Sequence, residues 1–422
     1  MAETPNEGFT SHQKLVILLL AMTQFTVILD FIVMSPLGDM LMKSMSLSTR
    51  QFGAAVSAYA FSAGISGFLT AGFADRFDRK KLLLFFYVGF IGGTFLCGMT
   101  TTYPMLLGAR IVTGLFGGVI GSISLAIVAD LFPLSKRGRV MGFMQMGFGA
   151  SQVLGIPISL FIANAWGWQA PFLMIVAISA IVWLVIMLTM QPINKHLEIK
   201  NDKNPLTHLL HTVAKGRYAL GFVATALLTL GGFMMMPWGS AFAVNNLLVT
   251  YEQLPILFMV SGVASLLVMP LIGRLSDKID KFKIFTIASV WLMVMVVIYT
   301  NLVPIPFWLV LIMNILFMVG ILSRIVPAMA LVTALPEMKD RGAFMSINSS
   351  LQQIAGGVAA MVGGLIVVQK DNFSPLEHYN TLGYIIVVLS IVSIYMIYQV
   401  SRIVSGKKDE GTVVADNAVL VE

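Results

Sequence analysis

One cysteine, Cys97, stands in the whole chain, so no intramolecular disulfide can staple it. Charge is nearly as scarce: Asp, Glu, Lys and Arg make up 11% of the 422 residues, where a soluble domain carries about a quarter. The sequence has no Gly-rich phosphate-binding loop, no His/Cys cluster at metal-ligand spacing and no nucleophile with a placed base. Those absences argue against an enzyme, and against ATP or any bound cofactor as the energy source. A cleavable leader is not expected either. Residues 1–13 are polar, and the apolar run from Leu15 has spanning length without a small-residue exit.

What fills the chain instead is apolar surface: 57% of residues are hydrophobic and the mean hydropathy is +0.87. Twelve runs, near 15–37, 51–73, 83–101, 104–131, 140–163, 170–190, 218–244, 254–273, 284–302, 307–333, 343–368 and 379–401, reach the about 20 residues that cross a bilayer. The Lys and Arg residues collect on alternate connections. Only Lys43, Arg50 and Lys370 take the other side, and Arg110 and Arg324 fall within spans. This asymmetry predicts a multi-pass protein with both termini cytoplasmic. The net charge of +7 is then topogenic and not a nucleic-acid footprint.

The chain also says one thing twice. AGFADRFDRK at 71–80 returns as GRLSDKIDK at 273–281, with Asp75 against Asp277, Asp78 against Asp280 and Arg79 against Lys281. Arg137-Gly138 and Arg341-Gly342 repeat at nearly the same offset, which indicates a duplicated unit of roughly two hundred residues. Between the halves, 191–217 is the longest polar insertion. There Leu206, Leu209, Leu210 and Val213 predict a short amphipathic helix on the inner leaflet. The residues after Ser405 are polar, and 405–422 is expected to be a disordered cytoplasmic tail.

Within the spans, Thr23, Thr26 and Asp30 form one helical stripe. Arg110, Gly114 and Gly118 place an arginine at the head of a small-residue ridge, and Gly147, Ser151, Gly155 and Ser159 form another. Pro157 should kink its span and free a backbone carbonyl. Span seven is interrupted at Pro237, beside Trp238.

On these residues the chain resembles the major facilitator superfamily, most closely its drug:proton antiporter and sugar-efflux branch. The 71–80 loop is similar to the family signature between spans two and three, with Asp78 and Asp280 where glycine is usual. Arg110-x-x-x-Gly114 is similar to the fourth-span motif. Gly155-Ile156-Pro157 is similar to the fifth-span antiporter motif, split by Ile156 and without its closing glycines. The resemblance implies an all-α polytopic fold of 12 transmembrane helices in two pseudo-symmetric six-helix bundles. These would be 1–190 and 218–404, joined by the 191–217 linker and rocking about a central cavity.

An ionisable group inside a span is a functional candidate, and the chain offers Asp30, Arg110 and Arg324. Span one runs outward and span four inward, so Asp30 and Arg110 reach similar depth and can pair. A buried carboxylate beside a guanidinium is a plausible proton acceptor, so Asp30 is expected to couple protons and Arg110 to tune it. The alternative is a static ion pair holding the two spans together. Arg324 has no acidic partner at its depth and is expected to meet a ligand anion, water or backbone carbonyls beside Pro327, giving a slightly cationic cavity; Gln24, Trp238, Asn348 and Gln352 are candidates for further contacts there, with helix packing the better reading for each taken singly. Asp75, Arg76, Arg79, Asp130, Asp277 and Lys278 are expected to form a latch between the halves.

The expected function is therefore a proton-coupled exporter of small amphipathic compounds. It would be a monomer in a bacterial inner membrane, with lipid, protons and a small-molecule substrate as its partners. A symporter, uniporter or flippase for an organic anion, sugar or lysolipid remains open. So does a receptor or scaffold on the same fold that does not transport.

Overall fold

The structure is a computed structural model and describes residues 9–70, 76–194, 197, 211–337, 340–371 and 373–419. Among the described residues, twelve helices are long and apolar enough to span a membrane. Spans one to six are Ser11–Val33, Thr49–Thr70, Arg79–Gly98, Tyr103–Leu131, Lys136–Trp166 and Ala170–Thr189. Spans seven to twelve are Gly216–Asn245, Leu254–Lys278, Lys281–Thr300, Phe307–Thr333, Arg341–Ile366 and Tyr379–Ser405. The hydropathy reading thus recovers the architecture, with helices running a few residues past the apolar runs.

Local chemistry sets where they begin. Span one opens on a capping box in which Thr10 accepts from the Gln13 amide at 3.2 Å and Gln13 accepts from the Thr10 amide at 3.0 Å. Prolines sit in the first turns of spans four, six and eight, where the missing N–H has no intrahelical partner to lose. The duplicated Asp-x-x-Asp loops end alike: Asp78 accepts from the Lys81 amide at 2.9 Å and Asp280 from the Lys283 amide at 2.8 Å. The second aspartate of each copy is a helix N-cap.

Span five carries a π-helical turn at Ser151–Gly155, directly before Pro157. The expected kink is therefore a widened turn, which accommodates the donor that proline lacks. Span seven breaks after Phe233 into a 3-10 turn at Met236–Trp238 and resumes at Gly239–Asn245.

The halves meet mainly through spans two and eleven and spans five and eight. Across the first seam, Thr49 donates to the Val367 carbonyl and Ser57 to the Gly357 carbonyl, each at 2.8 Å. The backbones come close enough that a Cβ on Gly53 would lie 2.8 Å from the Ala360 carbonyl oxygen. Across the second, a Cβ on Gly262 would lie 2.9 Å from the Gln152 carbonyl oxygen, in the π turn. In lipid such close approach takes the place of a hydrophobic drive.

The last helix is assigned over Tyr379–Val419, and its membrane-spanning part ends at Ser405. The expected linker helix lies mostly outside the described residues, Leu206, Leu209 and Leu210 among them.

Candidate functional site

Asp30 and Arg110 do pair. Arg110 Nη1 donates to Asp30 Oδ2 at 2.9 Å, and both side chains are 0% exposed. The Thr94 hydroxyl donates to the other carboxylate oxygen at 3.1 Å. The Tyr59 ring lies under the guanidinium, 4.5 Å from its carbon to the ring centroid. Spans one to four thus supply one group each, and the small-residue ridge explains how they come so close. A Cβ on Gly117 would lie 2.9 Å from the Tyr59 hydroxyl, and one on Gly114 would collide with the Tyr59 carbonyl and Ser62. Arg110 Nε and Nη2 find no partner among the described residues.

The second half does not repeat this centre. The offset between Arg137 and Arg341 carries Arg110 onto Asn314, whose amide donates to the Ser261 hydroxyl at 2.5 Å. A neutral amide thus stands where the first half has its guanidinium.

Arg324 lies elsewhere than expected. Its Nη1 donates to the Ser390 hydroxyl at 3.1 Å and its guanidinium carbon sits 5.4 Å from the Phe285 ring centroid. Ser390 is in span twelve and Phe285 in span nine, so the arginine is turned into its own bundle. An aromatic face and a hydroxyl serve the guanidinium in place of a carboxylate. Trp238 is likewise no lining residue: it is 0% exposed, edge-on to Phe52 at 5.5 Å, and wedged against the backbone at Gly53, Gly363 and Gly364. Asn348 is buried, and its Oδ1 has no partner among the described residues.

Gln24 and Gln352 stay half-buried, and a Cβ on Gly121 of span four would lie 3.4 Å from Gln24 Nε2. Gln24, Ile28 and Phe31 recur at helical spacing, about half a turn from the Thr23, Thr26 and Asp30 stripe. Phe31 meets Phe233 of span seven at 5.7 Å and Tyr59 at 5.1 Å between ring centroids. On span eleven, Gln352 and Gly356 lie opposite the exposed Val358, Met361 and Leu365, and a Cβ on Gly356 would touch Phe233.

The expected latch is formed only in part. Arg79 Nε donates to Asp130 Oδ2 at 3.1 Å, tying spans three and four within one half. Arg76, Asp277 and Lys278 are exposed, and Asp277 and Lys278 enter no ion pair among the described residues. Asp75 lies outside the described residues.

A polar seal between the halves does exist, at the opposite end. The short helix Gly38–Met45 carries Asp39, 1% exposed, and Lys43. Tyr251 donates to Asp39 Oδ2 and Asn245 to Asp39 Oδ1, each at 2.5 Å. Lys43 Nζ reaches Asp39 at 2.9 Å and Asn245 Oδ1 at 3.0 Å, and lies 5.2 Å from the Phe373 ring centroid. Ser35 bonds the Met236 carbonyl beneath it, and Ser240 donates back to the Ser35 carbonyl at 2.7 Å. Burial and the Asp39 carboxylate push the Tyr251 phenol above its ordinary pKa, which keeps it a donor. Sequence reasoning missed this cluster. Its one signal was the Asp39-x-x-x-Lys43 spacing on a short amphipathic stretch.

The sequence profile described as Major Facilitator Superfamily matches residues 20–360 and 221–414. An MFS-type transporter of Bacillus subtilis (strain 168), YbcL, is 25% identical over 382 residues, covering 90% of this chain and 95% of its own. A probable sugar efflux transporter of Helicobacter pylori (strain J99) is 22% identical over 359 residues, covering 84% and 87%. Among solved structures, a bacterial homologue of the human lysosomal transporter Spinster, inward-facing and unoccupied, superposes with a TM-score of 0.76 at 15% identity. That match covers 94% of this chain and 99% of the other. Two bundles, a seam of small residues, a buried charge pair and these likenesses lead to one statement: the chain belongs to the Major Facilitator Superfamily and is a twelve-span membrane transporter, not an enzyme.

Proposed function

We propose that the protein is a proton-coupled exporter that works by alternating access, carrying small amphipathic compounds across a bacterial inner membrane as a monomer. The observation that carries this reading is the Asp30–Arg110 pair, buried between spans one and four and, among the described residues, without a counterpart in the second half. Two ions buried together are held by their geometry and by Thr94. Protonating Asp30 removes the counter-ion of Arg110 and loosens spans one and four, while deprotonation restores the pair. A carboxylate whose charge state alters helix contacts ties proton binding to the arrangement of the halves, since binding can shift only what it distinguishes.

On this reading both termini are cytoplasmic and the Asp39 seal closes the outer end. In the outward-open state the seal parts and the Arg79 and Asp130 end closes, with Asp75 as the remaining latch candidate. The proton gradient supplies the energy. A symporter, uniporter or flippase keyed to Arg324 has less support, because Ser390 and Phe285 already engage that guanidinium.

The test uses purified protein in liposomes with an imposed pH gradient and an internal pH dye. Candidate substrates drive proton movement through the wild type, and Asp30→Asn abolishes it while the protein stays folded. Unaltered proton movement in Asp30→Asn removes Asp30 from coupling.

A further inference from the structure

The charge that the spans carry does not face the gap between the halves. Asp30 and Arg110 are 0% exposed and ion-paired inside the first bundle, with Arg110 Nε and Nη2 left without a partner among the described residues; Arg324 is 5% exposed and turned toward spans nine and twelve, its Nε likewise without one. Among the described residues the other buried acidic and basic side chains, Asp39, Arg79 and Asp340, lie at or beyond the ends of the spans. What lies around the contact between the halves is of two kinds. The half-buried carboxamide Gln24 shares by helical spacing the side of span one that Phe31 presents to Phe233, and the half-buried Gln352 lies one turn from Gly356, where a Cβ would touch Phe233. Phe31 and Phe233 meet across the halves, one helical turn inward of the Ser35–Met236 contact. They form an aromatic ceiling under the seal.

A carboxamide offers two donors and an acceptor without net charge, so it satisfies hydroxyl, carbonyl or amide groups of a ligand. It does not offset an ion that has left water, and an uncompensated ion in such a site is costly. The aromatic pair suits a flat or apolar body.

We infer that the cavity selects an electrically neutral ligand: an uncharged amphipath whose apolar or aromatic part seats on Phe31 and Phe233 while hydroxyl or amide groups bond Gln24 and Gln352. This deepens the export reading above and rests on it for the location of the cavity. It replaces the slightly cationic hollow expected from the sequence, because the cation counted on there is engaged elsewhere.

The experiment measures binding and needs no gradient, so it fails separately from proton coupling. Purified protein in detergent is titrated with three near-isosteric probes: phenyl glucoside, phenyl glucuronide and phenyl 6-amino-6-deoxyglucoside. The readout is intrinsic fluorescence, with thermal shift in parallel. The neutral glucoside is expected to bind at least tenfold more tightly than either ion. Gln352→Leu and Gln24→Leu each weaken it about fivefold. Gln352→Glu, which keeps the side-chain size, moves preference toward the amine and controls for a folding defect in the leucine variants. Tighter binding of the glucuronide or the amine overturns the inference. So does failure of the neutral probe to bind, or an unchanged preference in Gln352→Glu. Neutral preference with no proton movement in liposomes would leave this inference standing and remove the coupling proposal.

Discussion

Tyr251 of the second half donates its hydroxyl to Asp39 of the first at 2.5 Å, and this contact is the core of the seal between the bundles. A hydrogen bond to a carboxylate contributes about 1.5–3 kcal/mol, so Tyr251→Phe should raise the fraction open at that end by about tenfold or more. Distances between spin labels on the Gly38–Met45 helix and the 246–253 loop would report it. An unchanged distance distribution sets the seal aside as a gate.

The same contact carries a pH dependence. The Tyr251 phenol titrates above its ordinary value of 10.0 because of burial and Asp39. Its contribution is therefore complete below that value and lost as pH rises through the raised pKa in the sealed state. The label distances should hold constant from pH 6 to about 9 and lengthen only in stronger alkali. Lengthening near neutrality would point to another group.

Arg110→Ala leaves the Asp30 carboxylate buried without its counter-ion, and removing one partner of such a pair costs about 3–5 kcal/mol. Asp30→Asn combined with Arg110→Gln should be milder than Arg110→Ala alone. Thermal unfolding in detergent compares them. Equal losses would mean that the two charges do not compensate each other.

Gly262→Ala places a methyl 2.9 Å from the Gln152 carbonyl, in backbone that cannot swing aside as a side chain would. Overpacking of this kind costs about 1–3 kcal/mol and should fall on the sealed state, where spans five and eight touch. Reduced flux with retained ligand binding is the expected pattern. Loss of both together would indicate a folding defect instead.

Asp78 and Asp280 cap equivalent helices with nearly identical geometry. Alanine at either should cost about 1 kcal/mol, equally within error, without changing the proton dependence of transport. A selective effect of one on flux would make that aspartate part of the latch.

How much of this was legible in the sequence follows from what a helix encodes. Run length gave twelve spans, and the repeated Asp-x-x-Asp gave the two halves. Depth along spans one and four places Asp30 beside Arg110. Direction around the helix axis was the weaker signal. Arg324 has a depth but no acidic neighbour to fix its bearing, and it turned toward Phe285 and Ser390 instead of the gap. Trp238 sits at an interruption that suggested a ligand contact, yet Gly53, Gly363 and Gly364 made room for it inside the seam. The seal was hidden because Asp39 finds Asn245 and Tyr251 two hundred residues away, and no local pattern announces those partners.

Asn314 stands in the second half at the place that Arg110 holds in the first. If Asp30 and Arg110 carry the coupling proposed above, the second half is free of that duty. Substitutions on spans seven to twelve then retune what is carried while the pair on spans one and four is kept, and new cargoes become reachable in single steps.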